Sequence, residues 1–140
     1  MSQRTLIIVK PDAVLRNLVG KVLTKFEEKG FQIVAARMTH FDRATAEAFY
    51  EVHSQRPFFH SLCTYMVSGP CMPVVLERDN AVLAAREVMG ATDPAEAAPG
   101  TIRKDFAESK ERNSVHGSDS PENAAREISF FFPPESLCPR

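Results

Sequence analysis

The amino-acid sequence predicts an α+β fold, a split βαβ sandwich in which helices pack on one face of a sheet. Two observations lead to this prediction. β-Branched and apolar runs mark three strands, and amphipathic stripes mark helices between them, in the order β-α-β, helices, β-α. The 140 residues are enough for one hydrophobic core. We therefore expect residues 1–140 to form one domain with a short tail from about residue 133.

Three segments have the composition of strands. Residues 5–9 form a β-branched run that is apolar on both faces, as a central buried strand must be. Pro11 prevents this strand from continuing, because proline has no backbone N–H to donate. The other two strands are predicted over residues 31–38 and 72–76.

Helices are predicted from apolar spacing and from residues that favour helix ends. Val19, Val22, Leu23 and Phe26 lie on one stripe of a helix, and Gly30 stands where a glycine would end it. Further helices are expected over residues 44–53, 57–67 and 80–89 and after Pro121.

Two features describe the second half of the chain. Residues 91–110 are expected to form a long ordered loop or short helical turns, because Pro94, Pro99 and Gly100 interrupt any pattern. Ser120 has the chemistry of an N-cap and Pro121 suits the first position of a helix. That last helix is expected to end before residues 133–134, which are both proline.

Composition excludes several classes of protein. The formal net charge is −1, with 44% hydrophobic and 25% charged residues, so no excess of cations suggests binding to nucleic acid or to a membrane. The three cysteines have no metal-ligand spacing. They suit a reducing compartment, and the first residues lack the pattern of a signal peptide. We therefore expect a cytoplasmic protein.

The densest polar cluster is the segment His116-Gly117-Ser118-Asp119-Ser120. A neutral imidazole is a good nucleophile near neutral pH, since its pKa is about 6.5 when unperturbed. A carboxylate on one ring nitrogen would fix the tautomer and direct the other nitrogen. Asp119 and Glu127 are the two candidates for that carboxylate. A His-Gly-Ser turn is also common in ordinary loops, so the segment alone does not establish catalysis.

Residues that could bind phosphate are scattered along the chain. The sequence contains no GxxxxGK[ST] or GxGxxG loop, so side-chain cations would have to hold an anionic ligand. Lys10, Arg86 and Arg103 could do so if the fold brought them together, although each alone is equally well explained as a solvated charge. Tyr50 and Phe58 fit either the core or a platform on which a base stacks.

Taken together, these motifs resemble those of the nucleoside diphosphate kinase family. The matching stretches lie in the order and spacing of that family, namely residues 5–13, 56–59, 68–70, 89–94, 99–103 and 113–120. The resemblance implies a ferredoxin-like fold, with a four-stranded antiparallel sheet and helices packed on its faces. It implies transfer of the γ-phosphate of a nucleoside triphosphate to a nucleoside diphosphate in two steps, with Mg²⁺.

The resemblance also implies roles for individual residues. His116 would carry the phosphate on Nδ1, Glu127 would hold the other ring nitrogen, and Ser118 and Tyr50 would support the site. Lys10 belongs to both the catalytic and the nucleotide-binding set. The positions that match nucleotide contacts are Lys10, His53, Phe58, Arg86, Thr92, Arg103, Lys110 and Asn113. Mg²⁺ would be held by nucleotide phosphates and by no protein side chain.

Three positions depart from the family pattern. Lys110 stands where the family usually has an apolar residue against the base, so we expect altered base affinity with activity retained. Arg78 stands where glycine is common, which matters only if the backbone there needs a positive φ. The short tail after residue 133 resembles that of bacterial members, and the family implies a homo-oligomer, either a tetramer or a hexamer of dimers.

Two other functions were weighed. A non-catalytic nucleotide-binding regulatory module on the same fold would have lost at least one of His116, Lys10, Arg86 and Arg103, and all four are present. A DNA-binding or protein-interaction role would need a basic stripe or a recognition helix, which the sequence does not show.

Overall fold

A computed structural model describes residues 2–140, and within them four strands form one antiparallel sheet in the order β2-β3-β1-β4. The strands are β1 (Ser2–Val9), β2 (Gln32–Ala36), β3 (Met72–Asp79) and β4 (Val115–Gly117). β1 is central and pairs antiparallel with both β3 and β4, while β2 pairs with β3. This arrangement confirms the four-stranded antiparallel sheet that the family resemblance implied.

Helices connect these strands. The α-helices of the described part are α1 (Pro11–Leu15), α2 (Val19–Glu27), α3 (Arg43–Phe49), α4 (Phe59–Met66), α5 (Ala81–Met89), α6 (Ile102–Phe106) and α7 (Pro121–Phe131). Short 3₁₀ turns cover Glu51–His53 and Pro134–Ser136. Among residues 2–140, no helix has both the length and the apolar character needed to cross a bilayer.

Both faces of the sheet are covered. This confirms the helices on its faces that the family resemblance implied, and the packing on one face inferred from the order of elements was wrong. Leu6 and Ile8 of β1 belong to one core cluster, with residues of α3, α4 and α7. Ile7 and Val9 belong to a second cluster, with residues of α2, α5 and α6. All four side chains are fully buried. Alternate residues of a strand face opposite sides of a sheet, so the apolar run of β1 requires a layer on each side.

Two helix boundaries are explained by the residues that the sequence indicated. After α2, Gly30 has a φ of 86°, its N–H donates to Glu27 O (3.1 Å), and Phe31 N–H donates to Phe26 O (3.2 Å). This pair of bonds around a left-handed glycine ends the helix. At the start of α7, the Ser120 hydroxyl accepts the N–H of Asn123 at 3.1 Å, as an N-cap does.

Other boundaries differ from the predictions. The helix expected over residues 44–53 divides into α3 and a 3₁₀ turn, and the helix expected from Pro57 begins at Phe59. The five-residue helices α1 and α6 and the three-residue strand β4 are too short to show a periodic pattern. They form because tertiary contacts hold them.

The backbone at the end of β3 explains why position 78 can have an arginine where the family commonly has a glycine. Arg78 lies inside β3, opposite Gln3 of β1, and its guanidinium donates to Lys29 O at 2.7 Å. The residue that adopts the left-handed conformation is Asn80, with a φ of 54°. Asparagine tolerates this conformation better than most residues. A glycine is therefore not needed at position 78.

Candidate active site

A cleft of about 310 Å³ lies beside the ends of β1 and β4. Its wall comes from Lys10 directly after β1, from β4, α4, α5, α6 and α7, and from the segment between α3 and α4. The residues that line it are Lys10, Tyr50, Val52, His53, Phe58, Leu62, Arg86, Thr92, Arg103, His116, Gly117, Asp119, Asn123 and Glu127. The fold thus brings together most of the site residues that the sequence indicated, from positions more than 100 residues apart.

His116 is held by a carboxylate on one side of its ring. Its Nε2 lies 2.8 Å from Oε1 of Glu127, and the hydroxyl of Ser118 donates to the same oxygen at 2.8 Å. Of the two carboxylates considered from the sequence, the structure places Glu127 on the ring, while Asp119 is exposed and accepts from Nδ2 of Asn123 at 2.6 Å. A carboxylate oxygen accepts hydrogen bonds, so the contact favours a proton on Nε2 and leaves the lone pair on Nδ1.

The register of β4 explains the direction of the His116 side chain. His116 pairs with Ile8, while its neighbours Val115 and Gly117 pair with Val9 and Ile7. His116 therefore shares a face with Ile8, the face on which α7 and Glu127 lie. Gly117 lies over the other face.

The glycine after His116 lies against the side chain of Met89 in α5. A Cβ at Gly117 would lie 2.5 Å from the sulfur of that methionine. A larger residue here would therefore require the end of the Met89 side chain to move.

Two arginines donate hydrogen bonds to the backbone carbonyls of the residues directly before and after His116. Arg103 donates to Val115 O (2.8 Å) and to Gly90 O (3.0 Å), and Arg86 donates to Gly117 O (3.3 Å). Burial, and next the charge of Arg86, lower the pKa of Arg103 to about 10. The Nε of Arg103 is buried without a hydrogen-bond partner in the described chain. Both guanidinium groups thus lie at the cleft with donors that an anion could use.

Lys10 is the third cation, at the end of β1. Its Nζ donates to Oδ1 of Asn113 at 2.9 Å and to Glu111 O at 3.3 Å. Burial, followed by repulsion from Arg103, lowers the pKa of Lys10 to about 8. Without an anion, the charged form of this lysine is therefore less favourable than it would be in water.

Aromatic rings line the cleft from beside His116 to its exposed end. Tyr50 is 4% exposed, its ring lies 6.1 Å from that of His116, and its hydroxyl has no hydrogen-bond partner in the described chain. Burial raises the pKa of Tyr50 well above its usual value, so the hydroxyl remains a donor. Phe58 is 41% exposed, and His53 lies between these two rings, 5.5 Å from Phe58. Burial, and next Arg56, lower the pKa of His53.

Three of the residues indicated by the sequence do not line the cleft. Ser118 lies behind Glu127, and Asn113 lies behind Lys10. Lys110 is exposed in the loop between α6 and β4, and its effect on a base stays a prediction.

The wall also contains residues that the sequence did not single out, Val52, Leu62 and Asn123. Asn123 could have been found from its spacing, because it lies four residues after Asp119 and binds it. Val52 and Leu62 carry no chemical signal that distinguishes them from core residues.

The cleft has the parts needed for chemistry on a phosphate. It combines an oriented imidazole, three cations and a buried hydroxyl without a partner. Within residues 2–140, no group of three or more His, Cys, Asp or Glu side chains is arranged to hold a metal ion. The side chains of the cleft are thus complementary to an anion.

Comparison with known proteins gives one family. The model of the family described as nucleoside diphosphate kinase matches residues 3–137. Proteins named nucleoside diphosphate kinase from two strains of Legionella pneumophila, Lens and Philadelphia 1, are 59% and 58% identical over 136 residues, which is 97% of this chain and 96% of each relative.

Solved structures of the same family have the same fold. A crystal structure of the Aquifex aeolicus nucleoside diphosphate kinase superposes with a TM-score of 0.96 at 46% identity, covering 98% of this chain and 99% of that one. A Halobacterium salinarum nucleoside diphosphate kinase in complex with CDP superposes with a TM-score of 0.95 at 38% identity, covering 100% of this chain and 93% of that one.

The contact between His116 and Glu127 predicts the tautomer of the histidine. We expect neutral His116 to carry its proton on Nε2, which ¹⁵N chemical shifts of histidine-labelled protein measure directly. In Glu127→Gln the amide offers both a donor and an acceptor, so this preference should weaken. Glu122→Gln, an exposed change on the same helix, is the matched control. A proton on Nδ1 of wild-type His116 would contradict the prediction.

Proposed function

This chain belongs to the nucleoside diphosphate kinase family and transfers the γ-phosphate of a nucleoside triphosphate to a nucleoside diphosphate, and we propose that it does so through a phosphate carried on His116 Nδ1. The observation that supports this route most directly is the contact of His116 Nε2 with Glu127, which leaves Nδ1 as the nucleophile. Direct transfer of the phosphate between two nucleotides, without a covalent intermediate on the protein, would not require an oriented imidazole at the centre of the cleft.

The proposed first step is an in-line displacement. The lone pair of His116 Nδ1 forms a bond to the γ-phosphorus, and the bond from that phosphorus to the bridging oxygen breaks. The electron pair of the broken bond leaves on the β-phosphate of the departing nucleoside diphosphate. Positive charge then develops on the imidazole, where the carboxylate of Glu127 stabilises it. A second nucleoside diphosphate reverses these steps and takes the phosphate.

The cations supply the charge neutralisation that phosphoryl transfer requires. The transition state spreads negative charge over the phosphoryl oxygens, so catalysis depends on positioning and electrostatics. We assign Lys10, Arg86 and Arg103 to the phosphates, with Thr92 and His53 beside them. Arg86 and Arg103 are already anchored to carbonyls on either side of His116, so little reorganisation is needed.

The base and the sugar are assigned to the outer part of the cleft. The exposed ring of Phe58 suits stacking, which accepts any base because each base has an aromatic face. Asn113 and Lys10 are assigned to the sugar hydroxyls. The CDP complex of the Halobacterium salinarum relative supports a nucleotide in this cleft. Lys110 is assigned to the base side, where its methylene stem would pack on the ring.

Mg²⁺ is part of the same proposal. Three cations approach the cleft, and the carboxylate of Glu127 is engaged by His116 and Ser118. Because the cations can bind phosphate and the Glu127 carboxylate is already engaged, Mg²⁺ would be held by the phosphate oxygens of the nucleotide. When bound, Mg²⁺ would neutralise phosphate charge alongside the three side chains.

We also propose a cytoplasmic homo-oligomer built from dimers, either a tetramer or a hexamer. β2 lies at an edge of the sheet, where the tail bonds the carbonyls of Ile33 and Val34. An edge strand can pair with another chain through its other backbone groups, which supports this assembly. The buried free thiols Cys63 and Cys71 suit a reducing compartment. Light scattering of the purified chain should give four or six subunits, and a monomer would contradict the assembly.

Labelling with γ-³²P-ATP tests the phosphohistidine. With Mg²⁺ and no acceptor, we expect wild-type protein to gain an acid-labile, base-stable label that added GDP removes, and His116→Ala to gain none. His60→Ala, which changes an exposed histidine outside the cleft, should be labelled like wild type. If wild type gains no label, the phosphohistidine route is refuted. If His116→Ala is labelled, the nucleophile is another residue.

The lowered pKa of Lys10 predicts a pH dependence of nucleotide binding. Lys10 is charged below pH 8 and neutral above it in the free protein, because its pKa is about 8. Bound phosphates raise that pKa, so ADP binding near pH 8.5 should take up a proton, and affinity should fall as the pH rises from 8 to 9. Calorimetry in two buffers of different ionisation enthalpy measures the uptake. In Lys10→Met the proton uptake should disappear. Proton uptake that persists in this variant would show that another group takes up the proton.

A further inference from the structure

A strained turn lies immediately before the catalytic strand. Ser114 has a φ of 73°, and Val115 N–H donates to Asn113 O at 2.9 Å. This is a classic γ-turn, which is rare and strained. The other non-glycine residues with positive φ in the described chain are Asn17 and Asn80, and asparagine tolerates the left-handed region better than serine. The surroundings of Ser114 must therefore hold it there.

The carboxylate of Asp12 holds this turn. Its Oδ2 accepts the hydroxyl of Ser114 at 2.9 Å, and its Oδ1 accepts the backbone N–H of Ser114 at 3.3 Å. The Tyr65 hydroxyl donates to Oδ1, and Arg16 donates to Oδ2 at 3.2 Å. The Asp12 side chain is fully buried, as is Ser114. None of these four residues lines the cleft.

A carboxylate suits this position better than any other group of its size. Four donors converge on it, and an ionised carboxylate is purely an acceptor. Burial, and next the bond to Asp12, raise the pKa of Tyr65, so its hydroxyl remains a donor. An asparagine would direct an N–H₂ group at one or more of these donors.

The turn connects the two halves of the catalytic site. On one side, Asn113 accepts from Nζ of Lys10 at 2.9 Å. On the other side, β4 begins with Val115 and presents His116. The turn itself is tied to β1, because Lys10 N–H donates to Ser114 O at 2.9 Å. A change in the backbone of Ser114 would therefore shift the lysine pair relative to the histidine.

We propose that Asp12 is a positioning residue of the phosphotransfer site, whose buried carboxylate holds Ser114 in its strained turn and thereby fixes the Lys10–Asn113 pair relative to His116. This inference rests on the proposed role of His116 as the phosphate carrier. Asp12 touches no reacting atom. Its effect is on the geometry of groups that do.

The test compares Asp12→Asn with the double variant Asp12→Asn/Ser114→Gly. The readouts are the single-turnover rate of His116 labelling from saturating γ-³²P-ATP, measured by rapid quench, and the Tm of each protein. We expect Asp12→Asn to be labelled about 10- to 100-fold more slowly than wild type, since small misplacements of catalytic groups have effects of this size. Glycine adopts a φ of 73° without strain, so the double variant should recover to within about threefold of wild type.

Tyr65→Phe separates positioning from stability. It removes one donor to the Asp12 carboxylate and the acceptor of the Asp12 backbone N–H, and it leaves both bonds to Ser114, so its Tm should fall while its labelling rate stays close to wild type. Equal rates in folded Asp12→Asn and wild type would overturn the proposal. So would a double variant as slow as Asp12→Asn, or rates that simply follow Tm across all the variants. Wild type that gains no label would instead refute the phosphohistidine itself.

A second pair tests the proposal if Asp12→Asn does not fold. Ser114→Ala and Ser114→Gly both lose the hydroxyl that binds Asp12, but only alanine keeps a Cβ in the left-handed turn. We expect Ser114→Ala to be labelled at least about threefold more slowly than Ser114→Gly, in line with a strain cost of this kind. Equal rates for this pair would overturn the proposal.

Discussion

The pairing of β4 with β1 is the constraint on which the site depends. β4 contains three residues, Val115–Gly117, and such a short strand has little stability of its own. It is ordered because β1 is buried at the centre of the sheet and offers its second edge. The alternation of side chains then places His116 on the face of α7, where Glu127 meets it. A slip of one residue would turn the histidine to the opposite face.

The arrangement of charges in the cleft lowers the stability of the free protein. Burial lowers the pKa of both Lys10 and Arg103, with added repulsion from Arg103 on Lys10 and from Arg86 on Arg103. The hydroxyl of Tyr50 is buried without a hydrogen-bond partner among the described residues. Lys10 is nevertheless fixed by Asn113, and Arg103 by backbone carbonyls. An entering polyphosphate relieves the repulsion and meets donors that are already oriented. The placement of these groups is unfavourable in the free protein, but it leaves them already oriented to stabilise the transition state.

Local signals predicted those parts of the fold that local physics decides. Ser120 caps α7 and Gly30 ends α2 as expected, because capping and left-handed glycine act within one turn. The apolar run of β1 predicted a central strand, but not that helices cover both faces, since periodicity does not say which elements supply each layer. Sequence patterns did not predict β4 and α1, because tertiary contacts hold them, whereas α6 is one of the short helical turns that were an alternative for residues 91–110. For the site, residue chemistry indicated His116 with two candidate carboxylates, and it left Lys10, Arg86 and Arg103 open between phosphate binding and solvated charge. The family resemblance decided among these roles and added further residues, and the fold brought most of them together.

The arrangement of the cleft explains how one site can serve two substrates in turn. The groups nearest His116, namely Arg86, Arg103 and Tyr50, have chemistry that suits phosphate oxygens and not a base. The ring suited to a base is Phe58, which is at the exposed end of the cleft and offers a face without hydrogen-bonding groups. The donor and the acceptor nucleotide differ at the base and agree in their phosphates. In the proposed mechanism, a cleft that recognises phosphates at its centre and only stacks a base at its rim would bind both nucleotides in the same orientation, so that one histidine accepts the phosphate from one and delivers it to the other.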